Sequence, residues 1–262
     1  MDTQDLELDQ PNIEPGQANV QVGTTHAEPT RTSALIEVLV CSGFPTQIAI
    51  MGLLHVIGMR PGGGAAGLSL PFFAALALAD SILLVGLILF FLRSHDESPR
   101  AIFLGVRPVK GEAALGLVLV PVVFIFVALI VGSLRLLAPW LHTVPQNPLG
   151  ALLDTPGEAV IFAFVVIIAG GLREEVQRAF ILHRFEQSLG GAKLGLVLFS
   201  AMFGLGHIEQ GADIAIATSA LGLFWGVLYL ARRSIAAPAV SHAGFNLTQV
   251  IVQATLKGAT TV

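Results

Sequence analysis

Residues 156–187 read PGEAVIFAFVVIIAGGLREEVQRAFILHRFEQ, and this stretch indicates the fold class. The part before Arg173 is almost entirely apolar, which is typical of a helix that crosses a membrane. The preceding residue, Thr155, is followed by Pro156 and Glu158, which is the pattern of a helix start with a Thr cap, Pro at the first helical position and Glu at the third. The stretch therefore predicts one long membrane helix with charged residues in its second half.

The rest of the chain has the same apolar character. Hydrophobic residues make up 54% of the 262 residues and charged residues only 12%, and the mean hydropathy is +0.77. Apolar runs of about 20 to 25 residues recur, a length that crosses about 30 Å of hydrocarbon. They lie at 34–58, 69–92, 112–137, 156–187, 192–210, 212–231 and 235–256. The sequence predicts an all-α, polytopic transmembrane helix bundle of about seven helices, or eight, over residues 33–262.

Charge predicts the orientation of this bundle. Residues 1–32 carry acidic side chains among Gln, Pro, Gly and Thr, which predicts a disordered tail. Lys and Arg cluster after the second, fourth and sixth runs, and such loops tend to stay in the cytosol. We therefore expect a multi-pass protein of the cell membrane with a cytosolic amino terminus. Basic residues are few and flank the spans, so nucleic acid is not expected as a partner.

The first polar group inside the predicted spans is GLREEVQRAF, residues 171–180. Ionisable side chains are costly in a membrane and usually functional. Glu174 and Arg178 are four residues apart on one helical face, where the guanidinium can orient a carboxylate. The simpler reading is that these charges only mark the helix end that meets water.

Two further polar groups follow on later spans. FGLGH places Phe203 and His207 on one face of the fifth span, and HAGFN places His242 and Asn246 on one face of the seventh. A lone His on an apolar helix is more often a satisfied core residue than a catalyst. Three such groups on separate helices favour a common site instead. A carboxylate can take a proton from water while imidazoles and an amide stabilise an oxyanion, or the same residues can hold a metal.

These motifs, in this order, resemble the CAAX protease and bacteriocin-processing family (CPBP, also Abi), the type II CAAX prenyl endopeptidases. The resemblance covers a core at residues 155–250 and rests on Glu-Glu followed by Arg, Phe-x-x-x-His and His-x-x-x-Asn. It implies an intramembrane endopeptidase that hydrolyses a peptide bond of a membrane-associated or prenylated substrate. The chemistry implied is a Glu-activated water with two His side chains.

The resemblance also implies individual roles. The implied catalytic set is Glu174, Glu175, Arg178, His207, His242 and Asn246. Glu174 would be the general base for water, supported by Glu175 and Arg178. Asn246 would orient His242 or contribute to an oxyanion hole. Phe203 would pack beneath His207.

Metal use stays open, and so does activity itself. Glu174, His207 and His242 with one open position would suit zinc, but two histidines from different helices do not form the compact HExxH pattern. The family's usual first motif places Arg five residues after the first Glu, whereas Arg178 is four after it. Arg173 could substitute, and so could Arg184. A divergent or inactive member is the alternative.

The depth of these residues along their helices constrains the site. Because a helix rises 1.5 Å per residue, Glu174 lies level with the two histidines only if the fourth helix continues to about Gln187. We therefore expect a long fourth helix, and a Glu174 more than about 10 Å from both histidines would exclude the site. The polar half of this helix is expected to line a hydrated cavity with Arg178, His183, Arg184 and Glu186.

Two other classes of function remain as alternatives. An ion-coupled transporter would use Asp80 and Glu174 with the histidines as a relay, and would be favoured by inverted repeats, which the sequence does not display. A structural hydrogen bond to a neighbouring helix is the preferred interpretation of Asp80. A non-catalytic membrane scaffold or immunity protein would use the bundle as a binding surface. The expected partners are membrane lipids and a peptide or membrane-protein substrate, and no residue indicates the oligomeric state.

Overall fold

The computed structural model describes residues 29–62, 67–145 and 147–260, and every regular element in these ranges is helical. The main helices are α1 (Arg31–Val40), α2 (Phe44–Val56), α3 (Leu70–Ser94), α4 (Pro99–Phe103), α5 (Val109–Leu137), α6 (Pro156–Val166), α7 (Glu174–Ser188), α8 (Ala192–Leu205), α9 (Ala212–Arg232) and α10 (Ala236–Thr260). The predicted all-α bundle is confirmed. Most of the predicted tail lies outside the described residues, and α1 begins at Arg31, within its last two positions.

Within the described ranges, three helices are long and apolar enough to cross a membrane: α3, α5 and α9. The pair α1 and α2 would act as a fourth span, bent by 42°. The bend lies at Gly43, whose φ of +94° is strained for any residue with a side chain. The predicted runs 156–187, 192–210 and 235–256 are helical but are not among these candidates. The count of seven spans therefore stays a prediction.

The long fourth helix is continuous, as predicted. It runs from Pro156 to Ser188 through α6, a π-helical segment at Ile167–Arg173 and α7. Its start has the predicted capping box, in which Glu158 N–H donates to Thr155 Oγ1 at 3.2 Å and Thr155 N–H donates to the Glu158 carboxylate at 2.8 Å. The π-segment, which the sequence did not predict, widens the helix just before Glu174.

Two glycines allow α10 to lie directly against this π-segment. A Cβ added at Gly171 would come 2.5 Å from the Ala243 Cβ, and one at Gly170 would come 2.5 Å from the Asn246 amide nitrogen. Only a residue without a side chain permits such an approach. The sequence GG in the fourth helix thus brings α10 next to the residues that precede Glu174.

The outer faces of the helices are apolar. On α5, Leu117, Val118, Ile125 and Leu129 are 62–67% exposed. Exposed aliphatic surface of this extent is unfavourable in water and typical of contact with lipid or with another apolar surface. The polar contacts are made instead between the helices.

The expectation of a hydrated cavity lined by Arg178, His183, Arg184 and Glu186 is wrong. Arg184 is fully buried and donates from Nε to Glu37 at 2.5 Å and from Nη1 to Glu97 at 2.6 Å. Glu186 pairs at the surface with Arg233. The physical reason is that acidic residues of α1 and of the α3–α4 connection converge on Arg184 and neutralise it. That convergence could not be read from α7 alone.

Candidate active site

A cavity of about 440 Å³ lies between α3, the π-segment, α9 and α10. Its volume is within the range of ligand-binding pockets. Four of the six predicted site residues line it, namely Glu174, His207, His242 and Asn246. The other two, Glu175 and Arg178, are buried behind its wall.

Glu174 and His242 face each other on this wall. The Glu174 Oε2 lies 3.7 Å from His242 Nε2, which satisfies the distance condition set by the depth of the residues. On its other side, His242 Nδ1 is 2.9 Å from Glu175 Oε1. The Glu174 side chain keeps 18% of its surface exposed and that of Glu175 only 1%. The imidazole therefore lies between a carboxylate at the cavity and a carboxylate in the core.

Arg178 pairs with Glu175 and not, as predicted from their spacing, with Glu174. Glu174 is turned towards the cavity, so the inner carboxylate takes the cation. The guanidinium is fully buried and lies over three aromatic rings, 5.2 Å from the centre of Phe199, 5.1 Å from Phe203 and 5.7 Å from Trp225. Cation–π attraction stabilises a charge in such an apolar position. Arg178 thereby fixes Glu175, which in turn holds His242.

Trp225 is a site residue that the sequence analysis missed. Its indole stacks on His242 with ring centroids 3.7 Å apart and an interplanar angle of 18°. Trp225 Nε1 donates to Ser241 Oγ at 2.9 Å, and Ser241 Oγ donates to the Pro238 carbonyl at 3.1 Å. The available signal was a Trp well inside a predicted span, away from the interface where Trp is usually found.

His207 lies beyond the end of α8, so the expectation that it shares a helical face with Phe203 is wrong. The helix ends at Leu205, between two glycines, and His207 occupies the following turn. The two side chains are nevertheless in contact, with ring centroids 5.0 Å apart. The His207 Nδ1 is 2.8 Å from the Phe203 carbonyl oxygen, an arrangement in which Nδ1–H donates and Nε2 is left for the cavity.

Asn246 is half-buried and lies against Gly170. Within the described residues its side chain has no hydrogen-bond partner, so the role of orienting His242 belongs to Glu175 and not to Asn246. The amide of Asn246 instead forms part of the cavity wall. Of its two predicted roles, the contribution to an oxyanion hole is the one compatible with this position.

A buried ion pair forms the next part of the wall. Arg173 Nη2 donates to Asp80 Oδ2 at 2.5 Å, and Arg173 Nη1 donates to the Gln177 side chain at 3.3 Å. The preferred interpretation of Asp80, a hydrogen bond to a neighbouring helix, agrees with this contact, although Asp80 also lines the cavity. Neither Arg173 nor Arg184 pairs with Glu174, so neither replaces Arg178 in the motif.

The side chains do not form a ready metal site. Among the described residues, no three His, Cys, Asp or Glu side chains are grouped so that they could hold a metal ion. The Nδ1 atoms of His207 and His242 are engaged by a carbonyl and by Glu175, an arrangement that leaves Nε2 of each ring open to a ligand. Within the part of the chain that the structure describes, however, Glu174 and the two histidines are not grouped closely enough to form a preassembled metal site.

The fold and the cavity define a class: a helical protein with apolar outer faces and a buried Glu–His arrangement. Residues 156–248 match the family model described as type II CAAX prenyl endopeptidase Rce1-like. No curated protein and no solved structure matches the chain. The match confirms the resemblance of the motifs and is consistent with a CPBP family intramembrane protease. It supports a CAAX-type intramembrane endopeptidase in general, and with the apolar helices it indicates an integral membrane protein.

Proposed function

We propose that the protein is an intramembrane endopeptidase in which Glu174 is the general base for water. The observation that carries the proposal is the cavity wall on which Glu174 lies 3.7 Å from His242, with His207 and Asn246 on the same cavity. The four residues belong to three different parts of the chain. Their convergence has no evident structural purpose, because Glu175, itself paired with Arg178, already satisfies the buried side of His242.

The reaction requires a proton acceptor next to water and a carbonyl. The gap between Glu174 Oε2 and His242 Nε2 is too long for a direct hydrogen bond and leaves both atoms able to bind one water molecule. Glu174 takes a proton from this water while the water oxygen attacks the carbonyl carbon of the scissile bond. The carbon–nitrogen bond then breaks, and the proton held by Glu174 passes to the leaving amine.

The remaining cavity residues act on the developing oxyanion. The Asn246 amide can donate to it, and preorganised donors of this kind contribute a large part of the stabilisation of such intermediates. In both His207 and His242, Nδ1 is already engaged. Each imidazole therefore has its Nε2 atom available for water or substrate. Glu175 and Arg178 do not touch the substrate and act by holding His242.

The substrate proposed is a membrane-associated peptide, either with a prenylated CAAX-type terminus or within another membrane protein. The name of the matched family supports this class. Membrane lipids would surround the apolar outer faces. We also propose the orientation with a cytosolic amino terminus, which follows from the distribution of Lys and Arg.

The test is cleavage of a peptide library by detergent-purified protein. Glu174→Gln is expected to lower turnover by about 100-fold or more, since proton transfer by a positioned side chain contributes that much. His207→Ala is expected to lower turnover by about 100-fold, the usual effect of losing one group that stabilises an oxyanion. Glu209→Gln is the matched control, because Glu209 lies two residues from His207 but does not line the cavity. Each variant is first compared with wild type in thermal unfolding, so that a loss of fold is recognised.

Two outcomes would change the proposal. Equal cleavage profiles for wild type and Glu174→Gln would favour a non-catalytic scaffold or a transporter. Activity that a chelator abolishes and zinc restores would assign the water activation to a metal instead of to Glu174 alone.

A further inference from the structure

The helix α10 continues away from the site with a row of side-chain amides. His242 is followed by Asn246, Gln249 and Gln253, at intervals of four, three and four residues, which is the spacing of one helical face. All four residues line the cavity. We call Asn246, Gln249 and Gln253 the amide row.

The other face of α10 is apolar and turned outwards. Ile251, directly opposite the amide row, is 55% exposed, and Val252 beside it is 49% exposed. Thr255 is on this part of the helix and does not line the cavity. Its hydroxyl donates a hydrogen bond to the Ile251 carbonyl at 2.8 Å. The amides are therefore confined to the cavity side of α10, where polar groups need a partner other than lipid.

Amides suit a peptide backbone better than they suit a charged ligand. Each side chain offers N–H donors and a carbonyl acceptor, as does each peptide unit, and carries no net charge. Within the described part of the chain, Asn246 and Gln249 have no side-chain hydrogen-bond partner. The charged pair of Arg173 and Asp80 on the same cavity is internally neutralised.

The surroundings of the amide row also favour a peptide. Leu149, Leu153 and Phe162 give the cavity an apolar lining that side chains of a bound peptide can contact. Asn147 and Gln210, 3.5 Å apart, add two more amides to the lining. A strand that binds through its main chain and places its side chains in apolar pockets is a recurring form of peptide recognition.

The distance from His242 to the far end of the amide row sets the length of the ligand. Eleven helical steps from His242 to Gln253 cover about 16 Å. An extended chain advances about 3.3 Å per residue, so this distance corresponds to about five residues.

We infer that the amide row binds the backbone of an extended, uncharged segment of about five substrate residues on one side of the scissile bond. This inference rests on the proposed endopeptidase function and specifies how the substrate is held. It places the determinant of substrate length on α10 at Gln249 and Gln253, which lie beyond the His-x-x-x-Asn motif.

The test combines backbone changes in the peptide with substitutions in the protein. A cleaved peptide is resynthesised with a single N-methyl group at each successive amide, and kcat/KM is measured for wild type, Gln249→Leu and Thr255→Val. We expect wild type to lose about tenfold at one or more of the five positions, the effect of one lost hydrogen bond in an apolar site. Gln249→Leu should lose about tenfold on the parent peptide and show no further loss when the matching amide is methylated. Thr255→Val, the control on the same helix, should behave as wild type.

Gln249→Met keeps the length of the side chain and serves as a second variant if Gln249→Leu unfolds. An unchanged penalty for N-methylation in the Gln249 variants, or parent cleavage equal to that of wild type, would overturn the amide row as a backbone subsite. These results leave the proposed function intact, because cleavage would still depend on Glu174. Wild-type protein that cleaves no peptide would overturn both.

Discussion

At the scale of single residues, His242 is the best supported side chain of the site. Glu175 binds its Nδ1, and Trp225 covers one face of its ring. Trp225→Phe keeps an aromatic ring but removes the hydrogen bond to Ser241, which is worth about 1 kcal/mol. We expect kcat for peptide cleavage to fall roughly fivefold, with KM little changed, because the substitution moves His242 and not the substrate.

Ser241 provides the control for this prediction. Ser241→Ala removes the same hydrogen bond while leaving the indole in place, so it should lower kcat to a similar degree. The double variant should be no worse than either single one, because both remove one interaction. Additive losses would mean that Trp225 acts on His242 through packing alone.

Arg178 is the residue whose removal should cost the most stability. Arg178→Met leaves the Glu175 carboxylate buried without its cation, which costs about 3 to 5 kcal/mol. The midpoint of thermal unfolding in detergent should fall accordingly. The surface pair of Arg233 and Glu186 is the comparison: Glu186→Gln should change stability by less than about 1 kcal/mol, because exposed ion pairs contribute little.

A double variant distinguishes stability from positioning at this site. Arg178→Met with Glu175→Met removes both buried charges and should recover much of the lost stability. It should not recover peptide cleavage, because His242 has then lost its Nδ1 partner. Recovery of both would show that Glu175 does not position His242.

At the scale of elements, the approach of α10 to the π-segment sets the geometry of the site. Gly171→Ala would place a methyl group 2.5 Å from the Ala243 Cβ and 2.9 Å from its Cα, so the backbone of α10 must move. Because Glu174 follows the π-segment and His242 precedes Ala243, we expect kcat/KM to fall more than about tenfold, as misplacement of reacting groups predicts. The measurement is cleavage of the parent peptide.

The matched control for Gly171 is Gly86, in the middle of α3. A Cβ added there meets no atom within 4 Å. Gly86→Ala should leave cleavage unchanged and should be neutral or stabilising by up to about 1 kcal/mol, the usual effect of Ala for Gly in a helix. If Gly171→Ala cleaves as well as Gly86→Ala does, the close approach does not matter for the site.

The elements differ in how far the sequence predicts them. The start of the fourth helix was predictable because Thr155, Pro156 and Glu158 act locally, within one turn. The π-segment was not, since nothing in IIAGGLR distinguishes it from an α-helix before Ala243 is packed against it. The prediction for His207 was also wrong. The four-residue spacing from Phe203 is that of one helical face, but Gly204 and Gly206 allow the helix to end before His207.

In the candidate site, too, some features were predictable from the sequence and others depend on contacts between helices. The proximity of Glu174 to His242 was predictable. Counting residues along each helix, at about 1.5 Å per residue, places the two side chains at the same depth. The partner of Arg178 and the stacking of Trp225 depend on side-chain rotamers and on the facing helix. Such contacts between elements are not contained in the pattern of any one span.

At the scale of the whole molecule, one polar network ties the amino-terminal helix to α7. Burial alone would raise the pKa of Glu97, but hydrogen bonds from His183, Arg184 and Gln187, with the positive charge of Arg184, lower the pKa from 4.5 to about 2. Arg184 also binds Glu37 of α1. Glu97 is thus charged in the folded protein at acidities where it would be protonated in the unfolded chain.

This shift predicts an acid-dependent loss of stability. A carboxyl group with a lowered pKa stabilises the folded state fully above its unfolded value, and that contribution disappears as the pH falls through the folded value. The difference in unfolding temperature between wild type and Glu97→Gln should be largest above pH 4.5 and should vanish towards pH 2. A difference that is independent of pH would mean that the charge of Glu97 does not stabilise the network.

The orientation of the bundle leads to a prediction that uses the single cysteine of the chain. Cys41 is fully buried, so it should not react with a membrane-impermeant maleimide in the folded protein. Ser94 and Trp140 are exposed near opposite ends of the bundle, at the end of α3 and just after α5. The orientation proposed from the Lys and Arg distribution would place the first end in the cytosol and the second outside. In intact cells, Trp140→Cys should therefore be labelled and Ser94→Cys should be labelled only after permeabilisation. The reverse pattern would invert the proposed topology, and labelling of both in intact cells would mean that α5 does not separate two sides of a membrane.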